Sequence, residues 1–440
     1  METYKSLRQK HKKFIYHDYK IIDRGFYFHF SIDDTLHFYP RWEHSLSVNI
    51  DSGFYSYLVF NLGMAELVSY WKCACPETVE IRCGPIDGFQ EDWWKKLYKK
   101  GLGEFFYKNG IEPGDDFMTI KSLRSDNTRK ISDITVSSGC LIPVGGGKDS
   151  AVTMELLGVE NNLCYMINPR KAAVDTARAA GFSDEKMIVA RRTIDSELLR
   201  LNREGYLNGH TPFSAVVAFS SYIFACLSGK KYIALSNESS ANESNVSGTE
   251  INHQYSKSVE FERDFREYTA YLFGEIPEYF SLLRPLNEWR ITERFVSYKK
   301  YLNIFQSCNV GTKADIWCGK CAKCLYVYIM LSAFLKDGSL IKIFGSDMLS
   351  NETLTPIFEG LIYENVDKPF ECVGTREEVK YALKNAYKLR VDENEKIPEL
   401  LLKFINMNRN AVDNAVEQYY DKNNFVPGEF LHLLGAGNER

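Results

Sequence analysis

From about Ile131 the chain alternates short apolar runs with amphipathic stretches. Gly139 to Val144, Leu163 to Ile167, Met187 to Ala190 and Tyr232 to Leu235 are apolar and of strand length. Between them, Ala151 to Leu157, Ala172 to Ala180 and Leu198 to Glu204 have helical character. A longer helix is predicted from Pro212 to Leu227, with Thr211 as N-cap, Pro212 at the first position and Gly229 just past the end. Such alternation predicts a parallel sheet covered on both faces, with ligands at the carboxyl ends of its strands.

The chain before residue 135 lacks this regularity. Phe26 to Phe30, the alternating Leu46 to Ile50, and Val79 to Cys83 read as strands, and Tyr55 to Trp71 as a helix. A second helix, around Trp93, Trp94 and Leu97, should stop near Gly101 or Gly103. Basic Lys5 to Lys13 reads as a solvated start. After Ser236 the pattern is mainly helical, with candidates at Phe261 to Phe273, Ile291 to Ile304, Leu325 to Leu335, Val379 to Ala386 and Glu399 to Ile405. The small, polar tail from Leu433 to Arg440 should fray. The expected organisation is an N-terminal α+β domain over 1–135, a ligand-binding α/β domain over 136–305, and a helical C-terminal region over 306–440.

At 440 residues, with 45% hydrophobic and 25% charged residues, the composition is that of a soluble globular protein of more than one core. A net charge of −4 argues against a surface for bulk nucleic-acid binding. No apolar stretch reaches membrane-spanning length and Met1 to Lys5 opens no signal peptide, so a cytoplasmic protein without membrane partners is expected.

The chemistry gathers at a few places. Gly145-Gly146-Gly147-Lys148-Asp149-Ser150 follows a predicted strand and opens a predicted helix, an order that suits a phosphate held by backbone N–H groups. It is neither a Walker A loop nor the dinucleotide fingerprint. Cys308, nine residues, then Cys318, Cys321 and Cys324 supply four thiolates, enough for a closed structural Zn²⁺ site; an Fe–S cluster is the rival reading. Lys320 and Lys323 would offset part of the charge of such a site. The polar stretch Ser236 to Glu243 begins where a strand ends, as an active-site loop or a solvated one. His210 stands just before a helix start and is open to a capping, packing or catalytic role. Arg284 can bind a carboxylate or phosphate and Cys372 can act as nucleophile or proton carrier; structural roles are equally open to both.

The glycine loop resembles the PP-loop of the ATP pyrophosphatase superfamily, with Gly145 where that superfamily often has serine. The cysteine spacing is similar to that of 7-cyano-7-deazaguanine synthase, a shorter PP-loop enzyme that leaves the first 135 residues without a counterpart. A wider set of motifs resembles the UDP-N-acetylmuramoyl-L-alanyl-L-glutamate epimerase family. These are Phe60 to Gly63 with Tyr70 to Lys72, the glycine loop, Asn208 to His210, Ser236 to Glu238, Asn252 to Gln254 with Ser256 to Ser258, Trp317 to Gly319, and Lys368 to Gly374. That resemblance implies inversion of the terminal L-Glu of the UDP-muramoyl dipeptide to D-Glu with ATP and Mg²⁺, through a carboxyl adenylate, releasing AMP and pyrophosphate. It implies ATP at Gly145 to Ser150, with Asn237 and Arg284 as substrate-binding candidates. For proton transfer the candidates are His210, Glu238, His253, Lys257 and Cys372. A silent nucleotide-binding or scaffold protein is the third reading.

Overall fold

The apolar runs pair into one eleven-stranded sheet in a computed structural model that describes residues 3–124, 136–246, 248–249, 251–275, 277–407 and 414–435. Its strands are β1 (Lys13–Ile22), β2 (Gly25–Ile32), β3 (Leu36–Phe38), β4 (Arg41–His44), β5 (Thr78–Ile81), β6 (Thr119–Ser122), β7 (Ser137–Pro143), β8 (Leu163–Ile167), β9 (Met187–Thr193), β10 (Lys230–Leu235) and β11 (Glu278–Ser281). They run β11-β10-β7-β8-β9-β4-β2-β1-β5-β6, with β3 beside β2. Strands β7 to β11 are all parallel to their neighbours among themselves. β9 then meets β4 antiparallel, so strands from both sides of residue 135 share the sheet.

The order β9-β8-β7-β10-β11 matters for function. The chain builds outward from β7 through β8 to β9, then returns to the other side of β7 with β10. The crevice between the carboxyl ends of β7 and β10 is therefore a switch point, where open α/β sheets hold their ligands. The glycine loop follows β7, and Ser236-Asn237-Glu238 follows β10.

Period-two alternation sends the side chains of the central strands to two cores. Leu141, Tyr165, Ile233 and Leu235 face a core shared with the helices Ser52–Trp71 and Phe213–Leu227. Cys140, Ile142, Cys164, Met166, Tyr232 and Ala234 face the other, filled by Ala322–Ser332 and Arg376–Asp392 among other helices. Where the two halves of the sheet meet, Glu66 is fully buried, with Arg192 at 2.5 Å and the Trp42 indole at 2.7 Å. Among the described residues no helix is long and apolar enough to cross a membrane.

Several sequence expectations need correction. Lys5 to Lys13 is not a solvated start: Tyr4–Lys10 is a helix that buries Leu7, and β1 begins at Lys13. Leu46 to Ile50 forms no strand; the strand is β4, whose Trp42 and His44 are buried. Thr211 does not cap the long helix. Pro212 occupies that position without a side-chain bond, and the helix starts at Phe213. The stretch Ile291 to Ile304 breaks at Ser297, and the region after Ser236 includes β11. The tail does not fray at Leu434, which is buried while Arg294 donates to the carbonyls of Leu433 and Leu434 at 2.9 and 2.8 Å. Residues 436–440 of that tail lie outside the described residues.

Candidate active site

The glycine loop is shaped for close approach. Gly146 has φ +87°, and a Cβ there would stand 2.6 Å from the Ala173 nitrogen, so only glycine fits. Gly147 opens the helix Lys148–Leu157 with no side-chain cap, which leaves its first N–H groups for an anion. Lys148 is buried and its ammonium is paired with both Asp149 and Glu288. Burial opposes that charge, but the two carboxylates raise the Lys148 pKa and keep it protonated.

Three carboxylates from three elements converge beside the loop. Asp149 comes from the helix after β7, Glu238 from the loop after β10, and Glu288 from the first turn of the helix Glu288–Ser297. One oxygen from each lies within 4.8 Å of the others. Burial pushes the Glu288 carboxyl up to about 7, Asp149 and Glu238 adding to the effect and Lys148 opposing it. Burial also raises Glu238, with Asp149 adding. At Asp149 burial is outweighed by Lys148 and Lys323, and the carboxyl is held low. A cluster of carboxylate oxygens, two of its three groups buried, suits a hard divalent cation.

A cavity of about 260 Å³ opens over this cluster, and Ser150, Asn237, Glu238, Lys257 and Cys372 all line it. Lys257 donates to the Cys372 sulfur at 3.0 Å. Burial pushes the Cys372 thiol up, but Lys257, His253 and Lys323 bring it down to about 5. The Lys257 ammonium, penalised by burial, is raised in turn by Cys372 and Glu238. The cavity thus sets the Cys372 sulfur against the Lys257 ammonium, a pairing that favours the thiolate. A second hollow of about 240 Å³ shares Gly145 and Arg170 with it and is walled by Val144, Tyr165, Ile167 and Phe213.

The four cysteines meet one ridge away. Their Sγ atoms all lie within 4.8 Å of one another, with Cys308 to Cys321 at 3.9 Å, Cys318 to Cys324 at 3.7 Å and Cys321 to Cys324 at 3.5 Å. A tetrahedral centre with metal–sulfur bonds of about 2.3 Å sets sulfurs about 3.8 Å apart. Lys323, inside this cysteine run, donates through its backbone to Glu371 at 2.9 Å and through its ammonium to the Cys372 carbonyl. The cysteine cluster therefore anchors the loop that carries Cys372.

Two family descriptions match the sequence, the MurL N-terminal domain over residues 5–282 and the MurL C-terminal domain over residues 304–415. The chain belongs to the MurL family. Three curated relatives, from Micromonospora sp., Xanthomonas oryzae pv. oryzae and Salinispora tropica, are 33%, 33% and 34% identical to it. Each match covers 72% of this chain and 70–71% of the relative, and each relative is named UDP-N-acetyl-alpha-D-muramoyl-L-alanyl-L-glutamate epimerase. No solved structure matches.

The cavity draws on both MurL spans: the glycine loop, Glu238 and Lys257 lie in the first, Lys323 and Cys372 in the second. The other residues singled out in the sequence take different places. His253 sits beside the cavity, its Nδ1 against the Glu104 carboxylate and its ring interacting with the Cys372 sulfur. His210 is one layer further out, its ring centroid 4.4 Å from that of His253. Asn237 faces the cavity and donates to Ser281 Oγ at 3.0 Å. Arg284 is fully buried and does not line the cavity. Its guanidinium pairs with Glu262 at 3.0 Å and donates to the carbonyls of Glu238 and Lys257, clamping the two loops together. Glu288, Arg170 and Glu104 were not singled out in the sequence. For Glu288 a signal existed: Asn287 caps the helix and places an acid in its first turn.

Proposed function

We propose that this chain epimerises the terminal L-Glu of UDP-N-acetylmuramoyl-L-alanyl-L-glutamate to D-Glu, with ATP and Mg²⁺, in peptidoglycan precursor synthesis. The observation that carries this reading is a single cavity at the β7/β10 switch point. An anion-binding glycine loop, a three-carboxylate cluster and a thiolate–ammonium pair all face it. The names of the relatives supply the substrate.

The residues fit a PP-loop nucleotide site. The first-turn N–H groups after Gly147 would meet phosphate charge, Asp149, Glu238 and Glu288 would hold Mg²⁺, and the buried Lys148 ammonium pairs with two of those carboxylates from behind. The hollow between Val144 and Phe213 takes the adenine. ATP bound there would supply an adenylyl group to the glutamate α-carboxylate with pyrophosphate leaving; loss of the α-proton would then build no dianion, and reprotonation from the other face followed by hydrolysis would give AMP and the D-Glu product. Cys372 is the base that takes that proton, and Lys257 stabilises it as a thiolate.

Turnover of the muramoyl dipeptide in heavy water tests the reading. AMP should form and deuterium should enter at the glutamate Cα. AMP formation without exchange would overturn the epimerase, and 7-carboxy-7-deazaguanine consumed with ammonia would favour the synthase instead.

The four cysteines hold structural Zn²⁺ in this reading. Their sulfurs stand too close together to span a multi-iron cluster. Elemental analysis should return one zinc per chain. Cys321→Ser should lower the zinc content and destabilise the loop at Cys372, read as faster proteolysis between residues 360 and 375.

A further inference from the structure

The strongest unexplained feature is the acid behind the histidines. Glu104 is buried on the short helix Gly103–Lys108. Its Oε2 faces two imidazoles, His253 Nδ1 in direct contact and His210 Nδ1 at 3.4 Å, and its Oε1 is bonded by Lys108. His253 is fixed from its backbone as well, its N–H donating to Asn245 Oδ1 at 2.8 Å. With Nδ1 turned to Glu104, Nε2 is the ring nitrogen left for a further partner, and the His253 and Cys372 charges act on each other. On the far side of that sulfur stands Lys257. Glu104, His253, Cys372 and Lys257 thus alternate in charge, the last two lining the cavity.

We propose that Glu104 is a positioning residue which, through His253, holds Cys372 as a thiolate, completing a Cys372–His253–Glu104 relay beside the cavity. The proton leaves the Cys372 sulfur, whose bonding pair stays behind as the thiolate lone pair, and joins the His253 nitrogen turned away from Glu104. Glu104 accepts the Nδ1–H bond and takes no proton. The surrounding charges agree with this arrangement. At Glu104 burial is overcome by His253 and Lys108, and its carboxyl is brought down to about 2. At His253 burial is overcome by Cys372 and Glu104, and the ring is brought up to about 9. His210 goes the other way, down to about 3, through burial and the charge of His253, with Lys72 and Lys108 adding. It therefore stays neutral and packs against the relay; its Nε2 is buried without a partner. The other charged groups around Cys372 are Lys257, Lys323 and Glu371, with Asp149, Arg170, Glu238 and Glu288 lining the same cavity.

The proposal rests on the epimerase reading only for the use made of the thiolate. It is tested without substrate, so that either can fail alone. The full-length, zinc-loaded chain is alkylated with iodoacetamide across a pH series, and the Cys372 peptide is followed by mass spectrometry. The wild-type midpoint should lie near pH 5. Glu104→Gln should raise it by about one unit, a tenfold slower reaction on the acid side, with Glu104→Asp restoring part of the shift. His253→Asn should move the midpoint in the same direction with Glu104 intact, and it decides the matter if Glu104→Gln does not fold by circular dichroism. An unchanged midpoint in a folded Glu104→Gln or in His253→Asn overturns the relay.

Discussion

Cys372→Ala is expected to lower deuterium incorporation at the glutamate Cα by about 10²–10⁴-fold, the usual worth of a positioned acid or base, while AMP is still released. The split follows from position. Cys372 sits on the loop anchored by the cysteine cluster, whereas the glycine loop proposed to meet phosphate follows β7, so removing the thiolate leaves that end of the cavity intact. Cys372→Ser should fail almost as badly, because a hydroxyl keeps the shape but not the low pKa that Lys257 and His253 confer on the thiol. The pH profile carries the sign. The thiol is held down at about 5, so the working thiolate is present at neutral pH and lost as pH falls through that value. Exchange by the wild type should therefore have an acid limb near pH 5. Full exchange by the serine variant would show that sulfur is not the base.

What the sequence made legible was local. Gly145 to Ser150 and the cysteine spacing are read within a few residues, and the switch-point strands β7 and β10 announce themselves as apolar runs buried on both faces. β4 was hidden because Arg41 and Glu43 look like a loop, although Trp42 and His44, which alternate with them, are buried and both edges of the strand are paired. Glu104 was invisible for another reason. Its partner His253 is 149 residues away, and nothing in Gly103 to Lys108 marks that acid from any other on an amphipathic helix. Arg284 shows the opposite error open to a sequence reading. A guanidinium between apolar residues looks like a ligand clamp, but here Glu262 and two loop carbonyls use its donors, and its effect on the site is to hold Glu238 and Lys257 in register.

Asp149→Asn should produce the complementary failure, AMP formation and α-proton exchange falling together by about 10²–10³-fold. Asp149 is the one carboxylate of the cluster whose pKa is lowered, by Lys148 and Lys323 against its burial, so it supplies negative charge where Glu238 and Glu288 are pushed toward the neutral form. An amide keeps the helix turn and the volume but removes that charge. Lys148 then pairs with Glu288 alone, and the affinity of the cluster for a divalent cation falls. Raising the Mg²⁺ concentration should recover part of the rate, a response that a merely misfolded loop would not give. Pyrophosphate release measured beside deuterium exchange separates the two variants: with Cys372→Ala the two readouts diverge, and with Asp149→Asn they stay in proportion. Normal pyrophosphate release from Asp149→Asn would remove this carboxylate from the nucleotide site and leave the glycine loop to work without it.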